Sequence, residues 1–274
     1  MSSLQFLKRL IKPVVHKLGF DIVRYPVPQP VIERLIERPF HVLAFVVNYY
    51  VASGRPFFFV QVGANDGLRW DPLHALVCKF RLSGLLVEPL PDTFEQLRRN
   101  YVTEPQLTFE QCAIAADDGA RPLFRVRSDA AVGDWAHGIA SFNRAHLVRH
   151  LGDVERGEEL VEEVQVRTLS VKTLLRNHGI DQVNLLQVDT EGYDYEIVRM
   201  FFAEGRFPEI VNFERVHLSL RDKQECRRLL ARHGYRFVDV GMDTLGIRTD
   251  FSWPVGTEDV DVFDKVPSES LAGT

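Results

Sequence analysis

The sequence lacks the features that mark membrane-spanning, disulfide-rich and zinc-stapled proteins. No apolar run approaches the roughly 20 residues that a spanning helix needs. The 3 cysteines, Cys78, Cys112 and Cys226, are widely spaced and form no C-x-x-C pair, which disfavours a structural zinc site. Such cysteine usage is typical of reduced, buried thiols and predicts a cytoplasmic protein.

An excess of positive charge is also missing. The sequence has 33 Lys and Arg against 38 Asp and Glu, a formal net charge of -5. No global field therefore attracts phosphates, and a dedicated nucleic-acid binder is disfavoured. The 274 residues, 45% hydrophobic and 26% charged, are typical of one soluble α/β domain with a short appendage.

Three segments are predicted along the chain. Residues 1–30 combine a basic amphipathic helix with a Pro-rich linker, residues 31–264 form the main domain, and residues 265–274 form a frayed tail. Helices of this kind dock on their own domain or on a partner subunit more often than on an anionic membrane surface. Peripheral membrane contact and exchange of the arm within an oligomer both remain open.

Short apolar runs alternate with amphipathic ones through the main domain. Strands are predicted at 57–62, 84–89, 107–115, 162–171, 183–192 and 209–214, with residues 122–126 as a candidate extra strand and a hairpin at 235–250. The alternation predicts a mainly parallel sheet covered on both faces, with the hairpin supplying one antiparallel strand. After the first strand, Asp71 and Pro72 predict a helix start, and the polar residues 128–159 are predicted to be irregular.

The loop after the first strand has two glycines where a dinucleotide site would have three. Gly63, Asn65 and Gly67 occupy alternate positions, and several residues separate them from the next helix. A pyrophosphate site needs G-x-G-x-x-G opening directly into a helix, so this spacing suits a phosphate-free ligand such as S-adenosylmethionine. Glu88 ends the next strand, where a carboxylate can accept hydrogen bonds from ribose hydroxyls.

Five motifs, in order, resemble the FkbM family of S-adenosylmethionine-dependent methyltransferases: VQVGANDG, LLVEPLPDTFEQL, QCAIA, VRTLSV and LLQVDTEGYDYEIV. The resemblance implies a class I methyltransferase Rossmann-like fold, a seven-stranded, mostly parallel sheet whose last strand is antiparallel. It also implies O-methyl transfer, commonly to sugars or polyketide-type natural products. The wider class often places an acid where Gln61 stands and a glycine where Asn65 stands, and both departures are common in the family.

By position, the resemblance implies a set of cofactor-binding residues: Gln61, Gly63, Asn65, Gly67, Glu88, Cys112, Ala113 and Ser141. Glu88 would bind the ribose, Cys112 and Ala113 would lie along the adenine, and Ser141 would touch the cofactor or the acceptor. Plainer explanations exist for each type of residue: turn glycines, a capping acid and a packed core thiol. Their placement on successive strands of one sheet favours a common site.

Acids also follow two later strands. Asp189 and Glu191 end the strand at 183–192, and Glu214 ends the next, with His217 three residues on. Methyl transfer to an alcohol needs alignment and benefits from a base or a metal ion. Asp189 is the leading base or acceptor-orienting group, with His217 and Glu214 as alternatives. Asp189, Glu191 and Glu214 could instead hold a divalent cation, although Glu191 also suits a helix N-terminus.

The sequence thus predicts an O-methyltransferase with a small-molecule or glycan acceptor, and the preference for a saccharide hydroxyl rests on the resemblance alone. Acceptor choice is predicted to depend on the irregular segment, where Trp135, His137, Phe142 and Asn143 could contact a ring. Two other functions remain: a non-catalytic binding scaffold and a nicotinamide-dependent oxidoreductase. The acids at strand ends count against the first, and the absent G-x-G-x-x-G against the second.

Overall fold

The computed structural model describes residues 42–251, apart from positions 134, 135, 137, 153 and 155. The arm and linker at 1–30 and the tail at 265–274 lie outside these residues, so the proposed domain boundaries stay predictions. Among the described helices, none combines the length and the apolar character that a membrane crossing requires.

Seven strands form the main sheet. They are β1 (Phe58–Val62), β2 (Ser83–Val87), β3 (Leu107–Glu110), β8 (Leu185–Val188), β9 (Ile210–Glu214), β10 (Tyr235–Val240) and β11 (Asp243–Arg248). Their spatial order is β10-β11-β9-β8-β1-β2-β3. Neighbours from β9 to β3 are parallel, whereas β11 is antiparallel to both β9 and β10. The predicted fold class, with the hairpin at the sheet edge, is confirmed.

Helices cover both faces of this sheet. They are α1 (Val42–Ala52), α2 (His74–Phe80), α3 (Pro91–Asn100), α4 (Arg144–His150), α5 (Val171–Asn177), α6 (Asp194–Ala203) and α7 (Leu220–Arg232). On one face buried residues of α1, α2 and α3 belong to the same core cluster as Phe59, and on the other those of α5, α6 and α7 belong to the same cluster as Val60 and Val62. Because both faces are covered, β1 and its neighbours are buried, near-continuous apolar runs.

Four strands lie outside the main sheet: β4 (Ala113–Ile114), β5 (Gly119–Val126), β6 (Ala140–Ser141) and β7 (Val161–Leu169). They form a second sheet in the order β4-β7-β5-β6. The strand predicted at 162–171 is thus present as β7, but the sequence did not show that it belongs to a separate sheet. Residues 107–115 were expected to form one strand, but they divide between the two sheets at Gln111 and Cys112. The segment at 128–159, expected to be irregular, contains β6 and α4.

The helix after β1 begins later than predicted. It starts at His74, and Asp71 does not cap it. Instead Asp71 Oδ1 accepts hydrogen bonds from Leu73 N at 2.8 Å and from Gln61 Nε2 at 3.2 Å, and Oδ2 accepts one from the Tyr101 hydroxyl at 3.1 Å. A carboxylate shielded from water needs such partners, so Asp71 joins the loop to β1 and to the end of α3.

Candidate active site

Two adjoining cavities open at the carboxyl ends of the central strands, where parallel sheets bind their ligands. The narrow cavity, about 90 Å³ in volume, lies between the ends of β1 and β2 and the second sheet. The wide cavity, about 620 Å³, extends past the ends of β8 and β9. Six residues line both cavities, and we name them the common wall: Gly63, Asn65, Thr93, Gly138, Asp189 and Glu191.

The loop after β1 supplies part of this common wall. Gly63 has a φ of +79°, and a Cβ atom there would lie 1.7 Å from the carbonyl oxygen of Asp189, so no larger residue fits. Asn65 has a φ of 49°, a left-handed conformation that Asn tolerates, which explains how it stands where glycine is usual. Gly67 lines neither cavity, because it packs against Leu97 and Tyr101.

Glu88 joins the two loops beside the narrow cavity. Its Oε2 accepts a hydrogen bond from Asn65 N and its Oε1 accepts one from Leu90 N, both at 3.0 Å. Burial raises the pKa of Glu88 to about 7, although these two hydrogen bonds act to lower it. Each carboxylate oxygen keeps a second lone pair, so Glu88 can accept further hydrogen bonds from a ligand.

Small and apolar residues of the second sheet line the opposite side of the narrow cavity. Cys112 and Ala113 are buried there, and burial raises the pKa of the Cys112 thiol to about 12, so the group is a neutral thiol. Ser141 Oγ donates a hydrogen bond to the Glu191 carbonyl oxygen at 3.1 Å. This bond holds the second sheet against the loop after β8.

The remaining predicted contacts differ in position. Gln61 is buried in the wall of the wide cavity, and its Oε1 has no hydrogen-bond partner among the described residues. Phe142 lines the narrow cavity. Asn143 caps α4, since its side chain accepts a hydrogen bond from Ala145 N at 3.1 Å. Trp135 and His137 lie outside the described residues.

Acids crowd the ends of β8 and β9. One carboxylate oxygen from each of Asp189, Glu191 and Glu214 lies within 4.8 Å of the other two. Desolvation and the negative charges of Glu214, Asp194 and Glu191 raise the pKa of Asp189 well above its ordinary value. The Asp189 side chain is itself exposed to water in the cavity. That access moderates desolvation, which makes the neighbouring charges the firmer cause of the shift.

Asp194, which the sequence analysis passed over, supports the loop that carries Glu191. It is fully buried and accepts hydrogen bonds from Gly192 N at 3.2 Å and from Thr190 N at 3.4 Å. Burial raises the pKa of Asp194 to about 7. The loop turns through left-handed residues, with a φ of 52° at Glu191 and 98° at Gly192. The signal for Asp194 in the sequence was its place as the last residue of the VDTEGYD motif.

His217 lies between two of these acids. Its Nε2 is 3.4 Å from Glu191 Oε2 and 3.4 Å from Glu214 Oε1, and its Nδ1 is 2.8 Å from His150 Nε2. Burial alone would lower the pKa of His217, but the hydrogen bond to Glu214 and the charges of both glutamates raise it above its ordinary value. The structure therefore brings His217 together with the predicted acids.

Four more side chains at or beside the wide cavity were missed. His146 and His150 lie one turn apart on α4, and the spacing in HLVRH was the available signal once a helix is assumed there. Trp70 is 86% exposed, has a φ of 61° and lines the cavity. Arg125 is buried in the wall and donates two hydrogen bonds to the Asp92 carboxylate, at 2.7 and 2.8 Å.

Solved structures similar to this chain have low sequence identity. A methyltransferase FkbM from Methylobacillus flagellatus KT is 13% identical over 70% of this chain and 43% of its own, with a TM-score of 0.43. A methyltransferase from Podospora anserina, bound to SAH, is 9% identical over 90% of this chain and 97% of its own, with a TM-score of 0.39. An RNA methyltransferase from Salinibacter ruber, in complex with S-adenosyl-L-homocysteine, is 14% identical over 83% of this chain and 97% of its own, with a TM-score of 0.34. This chain thus spans less than half the length of the Methylobacillus protein.

Comparison by sequence gives a family rather than a single relative. A search of the curated proteins found no match. The model of the methyltransferase FkbM domain matches residues 61–237, which run from β1 into β10 and include both sheets, in part or whole. More than half of the chain lies in this match. The chain therefore belongs to the FkbM methyltransferase family.

Proposed function

We propose that the chain is an S-adenosylmethionine-dependent O-methyltransferase that acts on a saccharide hydroxyl. The observation that carries this proposal is the common wall, where Gly63, Asp189 and Glu191 line both a narrow, mostly apolar cavity and a wide one with many charged groups. Group transfer needs two neighbouring sites whose reacting atoms meet at their boundary. Membership of a methyltransferase family supplies the group that is transferred.

The residues around the narrow cavity suit the adenosine part of the cofactor. Glu88 offers carboxylate lone pairs for ribose hydroxyls. Cys112 and Ala113 leave room for a flat, largely apolar ring, and the neutral thiol places no charge beside it. Ser141 would act from the cavity wall, where its hydrogen bond to Glu191 fixes the backbone.

The loop after β1 suits the rest of the cofactor. Gly63 leaves the backbone bare at the common wall, where a Cβ atom would collide with the Asp189 carbonyl group. The unpartnered Gln61 Oε1 would accept a hydrogen bond from an ammonium group, such as that of a methionyl tail. Asn65 and Gly67 hold the loop in its left-handed turns. The donor set therefore fits a zwitterionic ligand without phosphate.

When bound, S-adenosylmethionine supplies a methyl group on a positively charged sulfur. Asp189, at the common wall, is the residue proposed to orient the acceptor hydroxyl and to take its proton. His217 and Glu214, farther into the wide cavity, are the alternative bases. The three acids Asp189, Glu191 and Glu214 are the proposed oxygen ligands if the reaction needs Mg²⁺.

Trp70 supports a saccharide as the acceptor. An exposed aromatic ring at a cavity marks a ligand-binding surface, and indole faces pack well against sugar rings. A positive φ is strained for a bulky residue, and such strain clusters at functional sites. The ring lies on the same cavity as Asp189 and the other acids, which supply hydrogen-bond acceptors for hydroxyl groups.

The first experiment is calorimetric titration with S-adenosylhomocysteine and, separately, with NADH, using the full chain and a Glu88→Ala variant. The expected result is binding of S-adenosylhomocysteine, its loss in the variant, and no binding of NADH. Binding of NADH alone would favour the oxidoreductase, and binding of neither by folded protein would favour the scaffold. A positive result leads to a screen of saccharides with labelled S-adenosylmethionine, with and without Mg²⁺.

The proposed location of the enzyme rests on sequence features outside the described residues. The basic amphipathic helix predicted in 1–30 would bring the domain to an anionic membrane surface, where surface polysaccharides and glycolipids are assembled. Cytoplasmic location with peripheral membrane contact therefore stays a prediction. Vesicle co-sedimentation of the full chain and of a chain lacking residues 1–30 tests it, since equal partitioning of the two would remove the membrane contact.

A further inference from the structure

Three histidines and one glutamate converge at the edge of the wide cavity, and we name His146, His150, His217 and Glu191 the histidine cluster. One ring nitrogen or carboxylate oxygen from each lies within 4.8 Å of the others. Glu191 Oε2 is 3.4 Å from His217 Nε2 and 3.7 Å from His146 Nε2. In a tetrahedral site with metal bonds of about 2.0–2.1 Å, neighbouring ligand atoms lie about 3.3 Å apart.

Three different elements bring the cluster together. Residues 146 and 150 are four apart on α4, so both rings lie on one face of that helix. Glu191 comes from the loop after β8, and His217 follows β9. Gly192 lies beside both histidines: at its φ of +98° a Cβ atom would be strained and would lie 3.3 Å from the His217 carbonyl oxygen, which is a tight contact.

Two buried atoms of the cluster have no hydrogen-bond partner within the part of the chain that the structure describes. They are His146 Nε2 and Glu191 Oε2, which face each other at 3.7 Å, beyond hydrogen-bond range. The His146 side chain is 9% exposed. Buried polar atoms are nearly always paired, and an orphaned pair calls for a specific explanation, such as an ion between them.

We propose that His146, His217 and Glu191 bind a divalent transition-metal ion of the zinc class, with His150 orienting His217. Imidazole nitrogens select such metals, whereas an oxygen-only set selects Mg²⁺ or Ca²⁺. His150 Nε2, 2.8 Å from His217 Nδ1, holds the ring so that Nε2 points to Glu191. Metal-bound histidines ordinarily have such a partner on their other nitrogen.

Three protein ligands leave coordination positions open, as in catalytic rather than structural zinc sites. Glu191 and His217 both line the wide cavity, so an open position there faces the space proposed for the acceptor. A metal ion lowers the pKa of a bound oxygen and can polarise an acceptor hydroxyl. It would also occupy His217 Nε2, which removes His217 as a candidate base and leaves the two carboxylates, Asp189 and Glu214.

The test uses the full chain after treatment with a chelator, titrated with Co²⁺ followed by visible absorption, and with Zn²⁺ followed by calorimetry. We expect one Co²⁺ per chain, d–d absorption of a low-coordinate site, and displacement by Zn²⁺ but not by a large excess of Mg²⁺. His146→Ala, His217→Ala and Glu191→Gln should each weaken Zn²⁺ binding by about 100-fold or more. His150→Ala should weaken it by about 10- to 100-fold, as removal of an outer-shell partner does.

His178→Ala is the matched control. His178 also pairs with a glutamate, its Nε2 lying 2.7 Å from Glu110 Oε2, but it lies outside the cluster. We expect its variant to bind Zn²⁺ as the wild type does. Absence of binding by folded wild-type protein would overturn the proposal. So would equal binding by the cluster variants, or loss of binding in Asp189→Asn with binding kept in His146→Ala.

Two measurements keep the outcome clear when a variant fails to fold. Circular dichroism reports folding, and X-ray absorption at the zinc edge of the wild-type complex reports the ligands directly. Two imidazoles with oxygen are expected, and a shell of oxygen alone would contradict the proposal. Binding of S-adenosylhomocysteine, measured on the same metal-free and metal-loaded samples, tests the proposed function separately, because Glu88 and Cys112, which would hold the cofactor, lie outside the histidine cluster.

Discussion

The narrow and the wide cavity share a wall but are built in different ways. The narrow cavity is shaped by tight turns and small side chains, with Gly63 against the Asp189 carbonyl and Ala113 and Ser141 among the lining residues. The wide cavity is shaped by charged side chains from separate loops and from α4. The shape of the narrow cavity depends on where the strands end, and the shape of the wide cavity depends on which side chains come together. Variants should therefore affect the two cavities differently.

The largest effect is expected for Gly63→Ala, which tests whether the common wall tolerates any side chain. The new Cβ atom would lie 1.7 Å from the Asp189 carbonyl oxygen at a φ of +79°. Overpacking and strain together should lower the free energy of unfolding by about 3 kcal/mol or more and abolish detectable binding of S-adenosylhomocysteine. Urea unfolding and calorimetry measure the two effects.

The control for this variant is Gly205→Ala, at a φ of +68° with no atom within 4 Å of the new Cβ. Only the backbone strain remains there, so we expect a loss of about 1–2 kcal/mol and unchanged ligand binding. Equal losses in the two variants would mean that the close contact at the wall contributes nothing.

Asp189→Asn should separate binding from chemistry at the same wall. The amide cannot take a proton, so kcat should fall by about 10²- to 10⁴-fold. The affinity for S-adenosylhomocysteine should stay within about twofold of the wild type. Transfer of a labelled methyl group to the best acceptor from the screen measures kcat. The control is Asp181→Asn, which changes an exposed acid before β8. A fall in kcat of less than tenfold would move the role of base to another residue.

Glu88→Gln should weaken ligand binding in the narrow cavity alone. Loss of a charged hydrogen-bond acceptor should lower the affinity for S-adenosylhomocysteine by about 10- to 100-fold, with little change in Zn²⁺ binding. Calorimetry with each ligand measures both affinities. An equal loss of both would indicate that the variant disturbs the two cavities together.

Glu88 should also give a pH-dependent stability. Its pKa is about 7 in the folded protein against an ordinary value of 4.5, so between these values the folded state binds more protons than the unfolded state. The contribution of Glu88 to stability is therefore fully present below about pH 4.5 and lost as the pH rises through 7. Urea unfolding of wild type and Glu88→Gln from about pH 5 to pH 8 measures it. Parallel curves for the two proteins would contradict the assignment.

The smallest effect is expected at Trp70, in the wide cavity. Trp70→Gly relieves the strain of a φ of 61° and should raise the free energy of unfolding by about 1 kcal/mol. Loss of the ring should raise KM for a saccharide acceptor by about tenfold, or 1.4 kcal/mol. Trp70→Ala is the matched control, because it removes the ring and keeps the strain. An unchanged KM in both variants would remove the stacking role.

The main sheet was predictable because each of its strands is marked by a local pattern of apolar residues in the sequence. Apolar runs such as residues 57–62, followed by glycine or an acid, predict both a buried strand and the residues at its carboxyl end. Gly63, Glu88 and Asp189 follow from this reasoning, and all three line the narrow cavity. Gly67 was predicted to bind the cofactor with the rest of this loop, but it faces α3. The spacing of the glycines does not show which of them face the cavities and which face a helix.

The second sheet and the histidine cluster could not be predicted in the same way. Strands β4 and β6 have two residues each, too few for any period to appear. The cluster joins residues 146 and 217, which come together only through the folding of α4 onto the strand ends. Even with the spacing in HLVRH, the sequence gives no distance between that helix and Glu191.

The pairing of β5 with β7 makes the segment between them a position where the sequence can change in length without disturbing the main sheet. They pair from Gly119 opposite Thr168 to Val126 opposite Val161, and Arg127 N donates a hydrogen bond to Leu160 O at 2.8 Å. The two ends of segment 127–160 thus lie side by side, and between them the segment pairs with the sheet only through the two residues of β6. Relatives can lengthen, shorten or replace this segment, and the acceptor-facing groups it carries, while every strand of the main sheet keeps its register.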